Sequence, residues 1–149
     1  MYSWYLACHK RGKTNLLKVQ MALEYMGATS FSPLVCVKKE RKDREGKHRL
    51  KMESIFPGYF FVNLNPSNQK IFDVEKLPGF SHFVRTGVEI KPIRDNIVKQ
   101  IMRLPFCSVF EDKSDSEEDK NINHELIKIA SLSDKDERVT QLCNYVQNF

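Results

Sequence analysis

The first 105 residues predict an α/β sandwich of the α+β class: an antiparallel sheet with helices mainly on one face, followed by an α-helical C-terminal tail. Three observations carry this. Period-two and period-3.6 segments succeed one another in the order β, α, β, β, short α, β, α. The most strand-like run, Tyr59 to Leu64, follows a Pro57-Gly58 turn signal and is apolar on both faces, with Phe60, Val62 and Leu64 on one side and Tyr59 and Phe61 on the other. Beyond Gly87 there is no glycine, and helical stripes take over.

Tyr2 to Cys8 alternates Tyr2, Trp4, Leu6 and Cys8 against Ser3, Tyr5 and Ala7, a first strand rich in aromatics. A basic connection, His9-Lys10-Arg11-Gly12-Lys13, leads to a helix with Thr14 as its expected N-cap. This helix runs to about Met26, with Leu16, Val19, Leu23 and Met26 on one face. Phe31 to Val37 reads as a second strand with Pro33 near its start. From Lys38 to Lys51, eight of fourteen residues are Lys or Arg, which predicts a long hairpin with a charged tip. Ile71 to Leu77 makes two helical turns before Pro78-Gly79, and Phe80 to Arg85 is a further strand. Pro92 fits the first turn of a last helix carrying Ile93, Ile97, Ile101 and Leu104, which Pro105 ends.

The domain organisation expected is a body over 1–105, an acidic linker over 106–120 and a helical tail over 121–149. Ile122, Leu126 and Ile129 share one stripe of the tail, and Val139, Leu142 and Val146 another. Helices this short fold only against each other or against the body.

Charge divides along the same line. Residues 1–105 carry 19 Lys+Arg against 9 Asp+Glu, net +10, and residues 106–149 carry 5 against 10, net −5. A basic body suits a polyanion, for which an acidic tail can compete. No 18-residue apolar run and no signal-peptide pattern occur, so a cytosolic protein without membrane contact is expected. Cys8, Cys36, Cys107 and Cys143 lie far apart with no C-x-x-C pair, which indicates free thiols. Phosphate-loop, dinucleotide, nucleophile-elbow and H-E-x-x-H patterns are absent, and neighbouring Cys8 and His9 point apart on a strand. The expectation is a binding protein, not an enzyme, with no cofactor, metal or small-molecule substrate.

Two binding readings remain. Gly58 to Leu64 partly matches the RNP1 pattern of RNA recognition motifs, so a free-standing single-stranded RNA-binding domain with Tyr2, Trp4, Tyr59 and Phe61 as stacking platforms is the alternative. The other reading uses several separated motifs. Trp4-Tyr5, Lys10-Arg11-Gly12, Phe56-Pro57-Gly58-Tyr59-Phe60-Phe61-Val62 and Gly79-Phe80-Ser81-His82-Phe83-Val84-Arg85 occur in order. This set resembles the N-terminal (NGN) domain of the NusG family of transcription elongation factors, and S-W-Y-L and S-H-F-V-R look most like the specialised paralogue RfaH.

The resemblance implies a transcription elongation and antitermination factor. It implies that Leu6, Phe56, Tyr59, Phe61 and Phe83 form an apolar surface for the clamp helices of the RNA polymerase largest subunit. Lys70, Ile71, Phe72 and Asp73 stand where RfaH-like proteins touch the opposite side of the cleft, without the His-Thr-Thr-Thr run of that relative. Lys10, Arg11, Gly12, Lys13 and Gly79 match positions contacting the non-template DNA strand. Lys38, Lys39, Arg41 and Lys42 read as a phosphate-contacting arm. The β-barrel KOW domain of the family needs tight glycine turns that this tail lacks, so ribosome and Rho contacts are not expected. A helical tail resembles the hairpin that masks the polymerase surface in RfaH; a fixed cap or a dimerisation element fits the same stripes.

Overall fold

The structure is a computed structural model that describes residues 1–40, 48–103, 117–130, 132 and 134–147. Its centre is a four-stranded antiparallel sheet in the order β2-β5-β1-β6, made by β1 (Ser3–His9), β2 (Thr29–Phe31), β5 (Tyr59–Leu64) and β6 (Phe80–Phe83). β1 and β5 pair along their length from Ser3 opposite Leu64 to Cys8 opposite Tyr59. This register sets the two faces, because alternate residues point to opposite sides.

One face meets α1 (Lys13–Tyr25) and α2 (Ile71–Glu75). Here Tyr5, Ala7, Phe60, Val62, Leu64, Phe80 and Phe83 are buried with Val19 and Leu23 of α1 and Val74 of α2. The expected stripe of the first helix therefore holds, with Leu16 and Met26 packed at its margins. Its start differs: Gly12, not Thr14, is the N-cap, at a φ of 102° and with no side-chain capping bond. Asn15 Nδ2 instead donates to the Arg11 carbonyl at 2.7 Å.

The stretch read as one strand over Phe31 to Val37 is two. β2 ends at Phe31, and after Ser32-Pro33 the chain leaves the sheet as β3 (Leu34–Glu40), which pairs with β4 (His48–Ser54) in a separate ribbon. Proline has no N–H for a ladder, so the break falls where the sequence removes a donor. The ribbon realises the expected hairpin strands; its charged tip over 41–47 lies outside the described residues.

Helices also cover the second face, which amends the expectation of helices mainly on one side. These are α3 (Asp95–Arg103), α4 (Glu117–Ala130) and α5 (Lys135–Gln147). Ile97, Val98 and Ile101 of α3, Ile122, Leu126 and Ile129 of α4, and Leu142 of α5 join Leu6, Ile55, Phe56 and Phe61 in one buried cluster. The start of α3 is later than Pro92 suggests: Ile93 donates its N–H to the Trp4 carbonyl at 2.7 Å in an isolated bridge, and helical bonds begin from the Arg94 carbonyl. α4 opens at Glu117, within the stretch read as linker, and 104–116 lie outside the described residues.

Candidate functional site

The apolar face comes from three local facts. Phe56-Pro57-Gly58-Tyr59 is a tight turn in which the Tyr59 N–H donates to the Phe56 carbonyl at 3.1 Å, and Gly58 supplies the φ of 87° that a type II turn needs at its third residue. The turn carries Phe56 to the same side as Phe61 and Tyr59. Leu6 and Trp4 alternate onto that side from β1, and Phe31 reaches it from β2. The rings interlock: Phe31 stacks on Phe61 with centroids 5.0 Å apart, and Trp4 meets Phe31 edge-on at 5.4 Å. Four of the five residues expected there, Leu6, Phe56, Tyr59 and Phe61, are thus brought together. Phe83 is not. It lies opposite Ala7 in the β1–β6 register and is buried with α1 and α2, so the alternation places Val84 beside the Tyr59 face instead.

The tail roofs this face. Phe61, Phe56, Leu126 and Leu142 have no exposed surface, and Tyr59, Trp4 and Phe31 are half-buried. An aromatic platform for stacked bases needs open rings, and of the four residues named for one only Tyr2 is exposed. The arrangement gives no support to the RNA recognition motif.

Tyr59 also carries the polar chemistry of the seam. It lies opposite Cys8 in the β1–β5 register and packs against the cluster that Cys143 of α5 also joins. Burial pushes the Tyr59 phenol up to about 12 and the Cys8 thiol up to about 11, and burial likewise raises Cys143. All three are therefore neutral near pH 7.

A basic ridge lies at the end of the sheet where β1 meets α1. Lys10, Arg11, Gly12 and Lys13 are all exposed, and the backbone beneath them is fixed: the His9 N–H donates to the Gly58 carbonyl at 3.0 Å and the Lys10 N–H to the Gly79 carbonyl at 2.8 Å. Gly79 is buried with a φ of 83°, and a Cβ there would stand 2.3 Å from the Asn15 carbonyl oxygen. Gly79 therefore holds the ridge from behind rather than presenting a side chain. Lys38 and Lys39 fall on β3, separate from the central sheet, and Arg41 and Lys42 lie outside the described residues.

Lys70 caps α2, and Phe72 and Asp73 are exposed on its first turn, with the Lys76 ammonium 3.9 Å from the Phe72 ring centre. Ile71 turns inward against the α1 and α2 core. The polymerase surface expected from sequence leaves out Trp4, Phe31, Val84 and the two thiols. The period-two alternation that puts Trp4 and Cys8 on the same side as Leu6 was the signal that could have found two of those neighbours.

Among the described residues there is no cluster of His, Cys, Asp and Glu that could hold a metal ion, and no helix is long and apolar enough to cross a membrane. A family model described as "Transcription termination factor nusG" matches residues 2–102. The chain is similar to a solved structure titled "Domain interaction in Thermotoga maritima NusG", at 22% sequence identity and a TM-score of 0.44. That match covers 75% of this chain and 62% of the other, so the chain spans less than two thirds of the length of the relative it matches.

Proposed function

The chain belongs to the NusG family of transcription factors, and from that premise we propose that it acts as an elongation and antitermination factor on RNA polymerase. The observation that carries this is the aromatic face. Leu6, Phe56, Tyr59 and Phe61 form one continuous apolar surface, set on a rigid sheet, flanked by α3 of the body and covered by α4 and α5 of the tail. With the tail displaced, the face presents the kind of anchor-rich patch that docks an amphipathic helix pair. We assign it to the clamp helices of the largest subunit.

Lys10, Arg11 and Lys13 are assigned to the non-template DNA strand, as phosphate contacts that position without reading sequence. Lys38 and Lys39 of the β3–β4 ribbon are assigned to the same backbone, as are Arg41 and Lys42. Lys70, Phe72 and Asp73 sit with α2 on the layer opposite the aromatic face, which suits a protein that spans the polymerase cleft; Ile71 supports them from beneath. The body over 1–105 is then the polymerase-binding unit and the tail its RfaH-like mask, and the factor works in the cytoplasm by binding alone. The tail described is helical, and no KOW-type role is assigned to it.

A gel shift of a reconstituted elongation complex tests this. Leu126→Ala, which loosens the tail, should bind more tightly than the parent chain. Adding Tyr59→Ala in that background should abolish the shift and leave affinity for naked single strands unchanged. The assignment fails if the loosened chain, with its tail shown to be open, does not shift the complex.

A further inference from the structure

The outer side of α1 carries a row of large apolar side chains that the body leaves open. Leu17, Met21 and Tyr25 recur every four residues and are 57%, 67% and 95% exposed. At 3.6 residues per turn, Met21 points directly away from the buried Val19 and Leu23, and Leu17 and Tyr25 stand about 40° to either side of it. The three are neighbours on the helix surface and make one stripe about 12 Å long. A surface helix ordinarily keeps this side polar. α1 packs on the sheet face opposite the one that the tail covers, so the stripe is separate from the aromatic face.

The charges beside the stripe indicate its occupant. On the Leu17 flank, Lys13 stands at the start of the helix and Glu24 near its end; on the Tyr25 flank stands Lys18. All three are exposed. A stripe with a cation at one end and an anion at the other, on one flank, is complementary to itself turned end for end. A nucleic-acid strand or an acidic peptide would instead set Glu24 against like charge.

We propose that α1 is the contact of a homodimer, in which two copies of the helix lie antiparallel across a two-fold axis at the level of Val19. Such an axis reverses height along the helix and keeps each flank on its own side. Leu17 of one copy then meets Met21 of the other. Lys13 of one copy stands within one residue, about 1.5 Å, of the height of the second copy's Glu24 on the same flank, so an ion pair closes each end. Helical side chains lean toward their own N-terminus, so the two Lys18 side chains diverge and each runs toward the other copy's Tyr25 ring. Two 13-residue helices bury less than the ~800 Å² per partner of a standard interface, so the dimer is weak, with a dissociation constant of about 10 to 100 µM. Dimerisation through α1 leaves the aromatic face as it is, whatever binds there.

Sedimentation equilibrium of the full chain at low salt, from about 5 to ~500 µM, tests this. The parent should pass from monomer to dimer across that range. Met21→Lys adds a cation beside the second copy's Lys18 and should remove dimerisation, with far-UV helicity unchanged because the position is exposed. Lys13→Glu and Glu24→Lys should each weaken the dimer roughly tenfold. Both put the favoured charge at their end of the helix, so neither loss can come from unfolding of α1. Mixed one to one, these two variants should form a heterodimer of about parental strength, since each offers the other its missing partner. A chain that stays monomeric to ~500 µM, a dimer that survives Met21→Lys, or a mixture no stronger than its components overturns the inference. If the monomeric chain's Met21 gains protection from peroxide only when a single-stranded oligonucleotide is added, the stripe belongs to nucleic acid and the dimer is refuted.

Discussion

Replacing Leu126 by alanine separates a detachable lid from an integral core. Leu126 has no exposed surface and lies at the middle of the α4 stripe, between Ile122 and Ile129. Truncating a fully buried leucine costs about 2 to 5 kcal/mol, and a loss near ~3 kcal/mol shifts an open–closed equilibrium roughly 150-fold. If the tail leaves as a unit, all of that loss falls on docking, because the α1 and α2 core on the other face shares no residue with it. α4 and α5 hold 14 and 13 residues, too few to stay helical once undocked, so far-UV helicity should fall as well. Trp4 reports the event directly: it is half-buried under the seam and is the only tryptophan. Its emission should shift to the red and its acrylamide quenching should rise while the body stays folded. A single cooperative melt at lower temperature, with native-state quenching unchanged, would show that the tail is part of one indivisible core and refute the lid.

Three further expectations follow from separate parts of the molecule. Lys10→Ala and Arg11→Ala remove exposed charges, so melting temperature should hold while the salt slope of elongation-complex binding drops by about 0.7 to 0.9 per lost phosphate contact; an unchanged slope removes them from the DNA surface. Gly79→Ala places a Cβ against the Asn15 carbonyl at a φ of 83°, so urea denaturation should register a loss of more than ~2 kcal/mol, and a neutral effect would contradict the close approach. Cys8 has a folded pKa of about 11 against 9.0 for the free thiol, so the native state keeps its proton where the unfolded chain has lost it. Stability should therefore be flat up to about pH 9 and fall by roughly 2 to 3 kcal/mol towards pH 11. Cys8→Ala should make that decline shallower, leaving the part due to Cys143, whose thiol burial also raises, and the later fall due to Tyr59.

Alternation made the two faces of β5 readable from six residues, and the helical stripe of α1 was readable from Val19 and Leu23. What sequence could not give was pairing. Phe83 and Val84 are adjacent, and choosing which one faces Tyr59 requires the β1–β6 register, which slips at the bulge between Cys8 and His9. Pro33 fits near the start of a strand over Phe31 to Val37 as well as the gap between two strands, because its lost donor is compatible with either. The stripes of α4 and α5 announced buried helices without naming their partner, since an apolar stripe records how much surface is covered and not by what. Cys143 was invisible for the same reason: it joins the cluster on that face only through the fold.

Because tail and clamp helices are assigned to one face, their binding is mutually exclusive, and this has a quantitative consequence. The apparent dissociation constant equals the intrinsic one divided by the fraction of chains with the tail open. In a series comprising Ile122→Ala, Leu126→Ala, Ile129→Ala and Leu142→Ala, each opening the lid to its own extent, log affinity for the elongation complex should rise with log opening constant at a slope of one. The slope should fall to zero once most chains are open, because none of the four residues belongs to the exposed docking face itself. Opening constants come from hydrogen exchange of the tail amides and from Trp4 quenching, and affinities from titration of the same proteins. A slope near zero throughout would mean that the polymerase binds without displacing the tail. A slope of one that continues past complete opening would mean that the substitutions alter the docking face directly.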